Sequence, residues 1–283
     1  MKKHQEHQDG PTEAKPSVVS RWRVPSDVAK KKPNEEKITA GVPLAKVIQR
    51  KLARVPELAV LTQSRSLVAE KFRRLKTVLE RQGDDGPQAI VVTSSSPNEG
   101  KTVVSTNLAL VFAAEKRGDV LLIDADLRRP SIHNWLTPAP LLGLSDVLAG
   151  RTELDHVILS LENSPLKILP AGSLPHEPVE LLSSEAAKQM FSTLRQKFSR
   201  IIVDTPPSVP FSDADILDSL CDGTLLVARS GQTEKASYKQ AQSMMTSNRV
   251  LGLVLNDIGF ALADWNLRSR SSYYAYYDEN PKK

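Results

Sequence analysis

Lys101 and Thr102, three carboxylates downstream (Asp124, Asp126 and Asp204) and a cluster of tyrosines near the C-terminus are the residues of this 283-residue chain whose types and spacing suit chemistry. Lys101 and Thr102 follow Gly100 and the turn-forming stretch Ser95, Ser96, Pro97, Asn98, Glu99. The apolar, β-branched run Ala89 to Val92 precedes that stretch, and an apolar helical pattern follows from Val103. Strand, loop and helix in this order let backbone N–H groups surround a phosphate and add the positive end of a helix dipole. Lys101 then supplies a cation and Thr102 an Mg²⁺-ligating hydroxyl. The pattern is a P-loop for a nucleoside triphosphate, with Ser95 where the strict form has Gly.

Phosphoryl transfer asks a protein to hold Mg²⁺ against the phosphates and to orient or deprotonate the acceptor. Asp124 and Asp126, one residue apart after the run VLLI, and Asp204, after IIV, suit these tasks. Four of the five tyrosines, Tyr273, Tyr274, Tyr276 and Tyr277, fall within five residues, between a Ser- and Arg-rich stretch and Asp278-Glu279. Core tyrosines are spread along the elements they stabilise, so this bunching in a polar stretch is not a core pattern, and an adhesive aromatic patch is one reading of it. Fully extended, the 17 residues from Asn256 to Tyr273 span up to about 55 to 60 Å, enough to reach a neighbouring active site.

The elements that must position these groups alternate. A helix is predicted over Ser64–Arg81, its apolar recurrence being Leu67, Val68, Phe72, Leu75 and Val78 or Leu79. Strands are predicted at 89–92, 119–124, 166–169, 200–204, 223–229 and 250–257, with helices at 100–115, 144–148, 184–198, 212–220 and 234–247 between them. Continuous apolar strands alternating with helices imply an α/β fold, a mostly parallel sheet covered by helices on both faces. Ligands in such sheets bind at the carboxyl ends of strands, where the P-loop, Asp124, Asp204, Arg229 and Asn256 fall.

Residues 1–60 carry 13 Lys and Arg against 7 Asp and Glu, which leaves the rest of the chain near neutrality. This arm is rich in Lys, Glu, Gln and Pro and reads as largely disordered. Short apolar patches from Val42 to Val60 suggest a brief amphipathic helix ended by Pro56. The expected organisation is arm 1–60, P-loop domain 61–258 and flexible tail 259–283. The arm's charge suits an anionic membrane, nucleic acid or plain solvent. One cysteine, Cys221, excludes a disulfide framework, and the five His show no zinc spacing. No apolar run reaches the 18 or so residues of a membrane span, and the first ten residues lack a signal peptide's apolar core, so a soluble, cytoplasmic protein is expected.

Residues 64–258 resemble the bacterial tyrosine kinases of capsule and exopolysaccharide systems, P-loop proteins of the MinD/ParA-like superfamily. The resemblance rests on SSSPNEGKT, on LLIDADLR (Leu121 to Arg128) with its Asp-x-Asp-x-Arg, and on IIVDTPP (Ile201 to Pro207). It implies ATP and Mg²⁺ as cofactors. Lys101 then contacts the β- and γ-phosphates, Thr102 and Asp204 hold Mg²⁺, Asp124 orients or deprotonates the acceptor, and Asp126 supports the metal. Asn256 is the candidate adenine contact. Glu70, Arg73 and Lys76 are similar to the family's oligomerisation helix, Glu-x-x-Arg-x-x-Arg, with Lys at the last position. The resemblance also implies that Tyr273, Tyr274, Tyr276 and Tyr277 are phosphoacceptors and that a ring of subunits phosphorylates one another's tails. It implies as well a separate membrane activator, a phosphotyrosine phosphatase and no specific nucleic acid, with the chain at the inner face of the membrane through its partner. Two other readings stand beside it: a ParA/MinD-like switch ATPase, against which Ser96 stands where those proteins have Lys, and a non-catalytic nucleotide-binding regulator of polysaccharide assembly.

Overall fold

The computed structural model describes residues 58–83, 86–133, 142–161, 164–245 and 250–257. The four clustered tyrosines, nearly all of the arm and the helix expected between Val42 and Pro56 lie outside them. In chain order the elements are α1 (Ala59–Thr62), α2 (Leu67–Glu80), β1 (Ala89–Ser94), α3 (Lys101–Ala114), β2 (Val120–Asp124), α4 (Leu144–Leu148), α5 (Leu154–Val157), β3 (Leu159–Ser160), β4 (Leu166–Leu169), α6 (Pro178–Leu182), α7 (Glu185–Lys197), β5 (Arg200–Asp204), α8 (Asp213–Asp218), β6 (Gly223–Arg229), α9 (Lys235–Met244) and β7 (Val250–Asn256).

The seven strands form one sheet in the order β3-β4-β2-β5-β1-β6-β7. All neighbours pair in parallel except the two-residue β3, which runs antiparallel to β4. Strand residues alternate between two cores. Ile90, Val92, Leu122, Ile202, Leu225 and Val227 pack on the face covered by α3, while Ala89, Val91, Leu121, Ile123, Ile201 and Val203 pack on the face covered by α7 and its neighbours. Two covered faces are why these strands read as unbroken apolar runs. α3 is apolar nearly all round and buried from Val104 to Ala113, because it lies between the sheet and α2.

Ser66 caps α2 by accepting from the Ala69 N–H at 3.2 Å. The face α2 presents to α3 is narrower than its apolar recurrence suggests. Ala69 and Leu79 are buried and Phe72 and Leu75 pack beside them, but Leu67, Val68 and Val78 are exposed. Lys76 is buried instead, its Nζ paired with Glu115 past the end of α3 and lying 3.4 Å from Glu80. β7 also departs from a fully covered strand: it is the last in the sheet, and Leu253 and Leu255 are exposed. The short α5, α6 and β3 carry too few residues to show a period in the sequence.

Candidate active site

The P-loop joins the C-terminal end of β1 to α3, at the centre of the sheet's carboxyl edge. Two residues turn it through left-handed backbone, Asn98 at φ 62° and Gly100 at φ 96°. Gly100 is required twice over: its φ disfavours a side chain, and a Cβ there would collide with the Asn256 carboxamide. That carboxamide donates from Nδ2 to the Glu99 carbonyl at 3.0 Å, so the end of β7 braces the loop.

The Glu99 carboxylate is buried and folds back over the loop's start. It accepts from the Ser96 N–H at 2.9 Å and the Ser95 hydroxyl at 3.2 Å, and from the Thr233 hydroxyl beyond β6. Thr233 in turn accepts from the Arg229 N–H at 2.7 Å. Arg229 pairs with Asp257 through Nε at 2.8 Å and reaches the Asn98 carbonyl at 3.4 Å. The Ser at position 95 therefore has a use that Gly lacks, as a donor to Glu99. Asn256→Ala is expected to raise the Kd for ATP about tenfold, the order of one lost hydrogen bond, with little change in melting temperature. Isothermal titration with a non-hydrolysable ATP analogue measures it.

Beside the loop, β2 and β5 end in register, so Asp124 and Asp204 are direct neighbours. Both are buried, and Oδ1 of each has no hydrogen-bond partner among the described residues. Asp124 is oriented through Oδ2, which accepts from the N–H groups of Ser131 (3.2 Å) and Ile132 (3.0 Å). The hydroxyls of Thr102 and Ser105 favour the charged form of Asp204, and the Ser105 hydroxyl donates to the Thr102 carbonyl at 3.1 Å. Ser131 closes the arrangement, its hydroxyl 3.0 Å from that of Thr102. Burial pushes the Asp204 carboxyl up to about 7, against the pull of Thr102 and Lys101. Burial, then the neighbouring Asp204, raises Asp124 well above the usual carboxylate range. Burial lowers the Lys101 ammonium, opposed by Asp204, Asp126 and Glu99.

Asp126 has a second duty. Its Oδ1 accepts from the N–H groups of Arg128 (3.2 Å) and Arg129 (2.8 Å), capping the turn after β2. Arg128 reaches across to the buried Asp213 at the start of α8, with Nε and Nη2 each 3.0 Å from a carboxylate oxygen, and lies 4.1 Å from the Phe211 ring centroid. The Asp-x-Asp-x-Arg segment is thus fixed at three points. Ser131, Thr233, Ser105 and Asp213 carry no motif of their own; of the four, Ser131 alone had a sequence clue, in following that segment.

Two unpartnered buried carboxylate oxygens beside a threonine hydroxyl are hard donors and fit Mg²⁺. Among the described residues no group of three or more His, Cys, Asp or Glu forms a metal cage. Mg²⁺ is typically held by one or two carboxylates together with substrate phosphates.

Of the residues considered for contacts between subunits, Glu70 and Arg73 are exposed and pair with each other at 2.9 Å, while Lys76 points inward.

No family model matches the chain. Tyrosine-protein kinase YwqD of Bacillus subtilis is 34% identical over 220 residues, which cover 77% of this chain and 89% of YwqD. This chain belongs to the bacterial tyrosine kinases. The kinase domain of the Escherichia coli tyrosine kinase ETK superposes with a TM-score of 0.66 at 33% identity, over 72% of this chain and 80% of that domain. The succinoglycan biosynthesis transport protein ExoP of Rhizobium meliloti is 32% identical over 233 residues, 78% of this chain but 30% of ExoP. The chain therefore spans about a third of that longer relative. The family and its mostly parallel α/β fold are those the motifs at Ser95–Thr102, Leu121–Arg128 and Ile201–Pro207 imply.

Proposed function

We propose that this protein is an ATP-dependent protein-tyrosine kinase that phosphorylates Tyr273, Tyr274, Tyr276 and Tyr277 of a neighbouring copy. The observation that carries the reading is the pair of unpartnered Oδ1 atoms of Asp124 and Asp204 beside Lys101 and Thr102. Mg-ATP supplies the transferable phosphoryl group and a metal charge against its phosphates. Lys101 meets the β- and γ-phosphates, and residues 95–102 wrap them. Thr102 and Asp204 hold the metal with Asp126 in support. Asp124, with one oxygen tied to Ser131 and Ile132 and its pKa raised, accepts the tyrosine hydroxyl's proton at Oδ1. Asn256, whose Nδ2 is committed to the Glu99 carbonyl, would have its carboxamide oxygen left to meet adenine.

Subunits associate through Glu70, Arg73 and their helix into a ring that offers tails to neighbouring sites. Each phosphotyrosine adds about −1.5 to −2, so a fully modified tail gains roughly −6 to −8 and loosens the ring. The activator is a separate membrane protein, and a phosphotyrosine phosphatase resets the tail. The process served is polysaccharide synthesis or export, as the name of ExoP suggests for that relative. Among the described residues no helix is long and apolar enough to cross a membrane.

Incubating the purified protein with ATP and Mg²⁺ and probing for phosphotyrosine tests the reading, beside a variant with the four tyrosines changed to Phe. Signal in the wild type and none in the Phe variant is expected. ATP-dependent dimerisation without phosphotyrosine, even with the activator's cytoplasmic segment present, would overturn it in favour of a switch ATPase.

A further inference from the structure

At the carboxyl edge of the sheet, β4 lies on the side of β2 away from the P-loop. Ile123 pairs with Leu169, so Pro170 falls level with Asp124 and the loop 170–177 leaves the sheet beside it. That loop is fixed to the chain entering α4. The N–H groups of Leu144 and Ser145 donate to the carbonyls of Pro170 (2.8 Å) and Ala171 (2.9 Å). Asp146 is buried and accepts at Oδ2 from the N–H groups of Gly143 and Ser173, each at 3.0 Å, while Arg151 holds Oδ1 at 2.8 Å. Gly143 and Gly172 meet backbone to backbone, and a Cβ on Gly143 would lie 2.6 Å from the Gly172 nitrogen. What this fixed pair of segments presents to solvent is apolar: Leu142 is 54% exposed and Leu174 66%. Arg129, exposed in the turn after β2, makes no ion pair among the described residues.

We infer that Leu142, Leu174 and Arg129 form a platform on which an extended acceptor peptide lies, its tyrosine at Asp124, neighbouring apolar residues on the two leucines and a following acidic side chain at Arg129. The inference rests on the kinase reading for the role of Asp124. Exposed leucines scattered singly need no explanation. Two held out on segments tied by a buried carboxylate are pre-organised, which lowers the cost of ordering a bound chain. Position selects the occupant. The P-loop and Asn256 take the nucleotide toward β1, β6 and β7, so an acceptor reaches Asp124 from the β4 side. Leu174 is four residues beyond Pro170, at most about 14 Å of chain, which about four residues of extended peptide also span. Charge agrees with position: a bare guanidinium beside two apolar side chains suits a peptide whose tyrosine has apolar or aromatic neighbours and an acid after them. Tyr273 to Glu279 has that order, Tyr-Tyr-Ala-Tyr-Tyr-Asp-Glu.

The test is fluorescence anisotropy of a labelled peptide with the sequence of residues 271–280, titrated with the full chain and a non-hydrolysable ATP analogue. In that chain Tyr273, Tyr274, Tyr276 and Tyr277 are changed to Ser, so that its own tail does not compete. Leu142→Ser with Leu174→Ser is expected to raise the peptide's Kd about tenfold. Arg129→Gln is expected to raise it about threefold, and to leave it unchanged for a peptide with Gln at both acidic positions. Affinity for the ATP analogue and melting temperature should stay the same. With the peptide as phosphoryl acceptor, both variants should raise its KM and leave kcat unaltered. A peptide that does not bind, or that binds all three proteins equally, would overturn the platform even where phosphotyrosine forms. Docking through the leucines and Arg129 without any phosphotyrosine would support the platform and overturn the kinase reading instead. Smaller oligomers with unchanged peptide affinity would make the leucines a contact between copies and overturn the assignment equally.

Discussion

Lys101→Met is expected to lower the rate of tyrosine phosphorylation about 10³-fold while the protein stays folded. Lys101 is a buried cation among three acidic side chains, Asp204, Asp126 and Glu99. Burial disfavours its charge, and the acids restore part of that loss. A cation held this way has its place fixed before substrate arrives. It then acts where charge develops on the transferring phosphoryl, in a site with little water to screen it, and removing one such group costs about 2.7 to 4 kcal/mol of barrier. Methionine keeps the length and apolar stem, so packing against the loop should survive. Phosphotyrosine formation at saturating ATP reads the effect, with circular dichroism confirming the fold. A Lys101→Arg control keeps the charge but widens the head, and an intermediate rate is expected. A Met variant within fivefold of the wild type would show that the loop's cation does not serve the transferring group.

The site was legible where one short stretch of chain carries both geometry and chemistry. Gly100, Lys101 and Thr102 sit at a strand-to-helix junction, and Asp124 and Asp204 end strands buried on both faces, so their place at one edge of the sheet follows from the order of apolar runs. Pairings between distant segments were not legible. Glu99 with Thr233, Asn256 with the Glu99 carbonyl, Ser131 with Thr102 and Arg128 with Asp213 join residues that the sheet order alone brings together. α2 shows the same limit on the fold side. Apolar and basic residues recur almost all round it, and its inner sector is chosen by contacts outside the helix. Ala69 allows close approach to α3, and Lys76 finds Glu115 at that helix's far end. Val250–Asn256 reads as a buried strand for a related reason: an edge strand and a central one can share one apolar run, and position in the sheet decides which side chains stay exposed.

Asp204→Asn is expected to flatten the pH dependence of stability in the nucleotide-free protein between roughly pH 5.5 and 8, and to remove most of its Mg²⁺-dependent activity. In the fold this carboxyl is pushed up to about 7 by burial, against about 3.9 in an unfolded chain. A raised carboxyl pKa means that the folded state holds the proton more tightly. Its contribution to stability is fully present below about pH 4 and is lost as pH rises through about 7. The adjacent Asp124, also raised, acts in the same direction, and the two titrate as a pair. The wild type should therefore melt several degrees lower at about pH 8 than at about pH 6. Carboxylates with lowered pKa, Asp146 on the Ser173 N–H and Arg151 and Asp222 on Arg195, work in the opposite sense. Their contribution is present above about pH 4 and falls away below it, outside this window. Asparagine cannot ionise, so the variant should gain stability at the alkaline end and flatten the slope. Mg-ATP affinity should change the other way, rising from pH 6 to 8 in the wild type as the metal displaces the proton. Thermal melts across the window, with and without Mg-ATP, read both effects. An unchanged slope in Asp204→Asn would move the shared proton to Asp124, and with it the choice of which carboxyl holds the metal and which receives the tyrosine's proton.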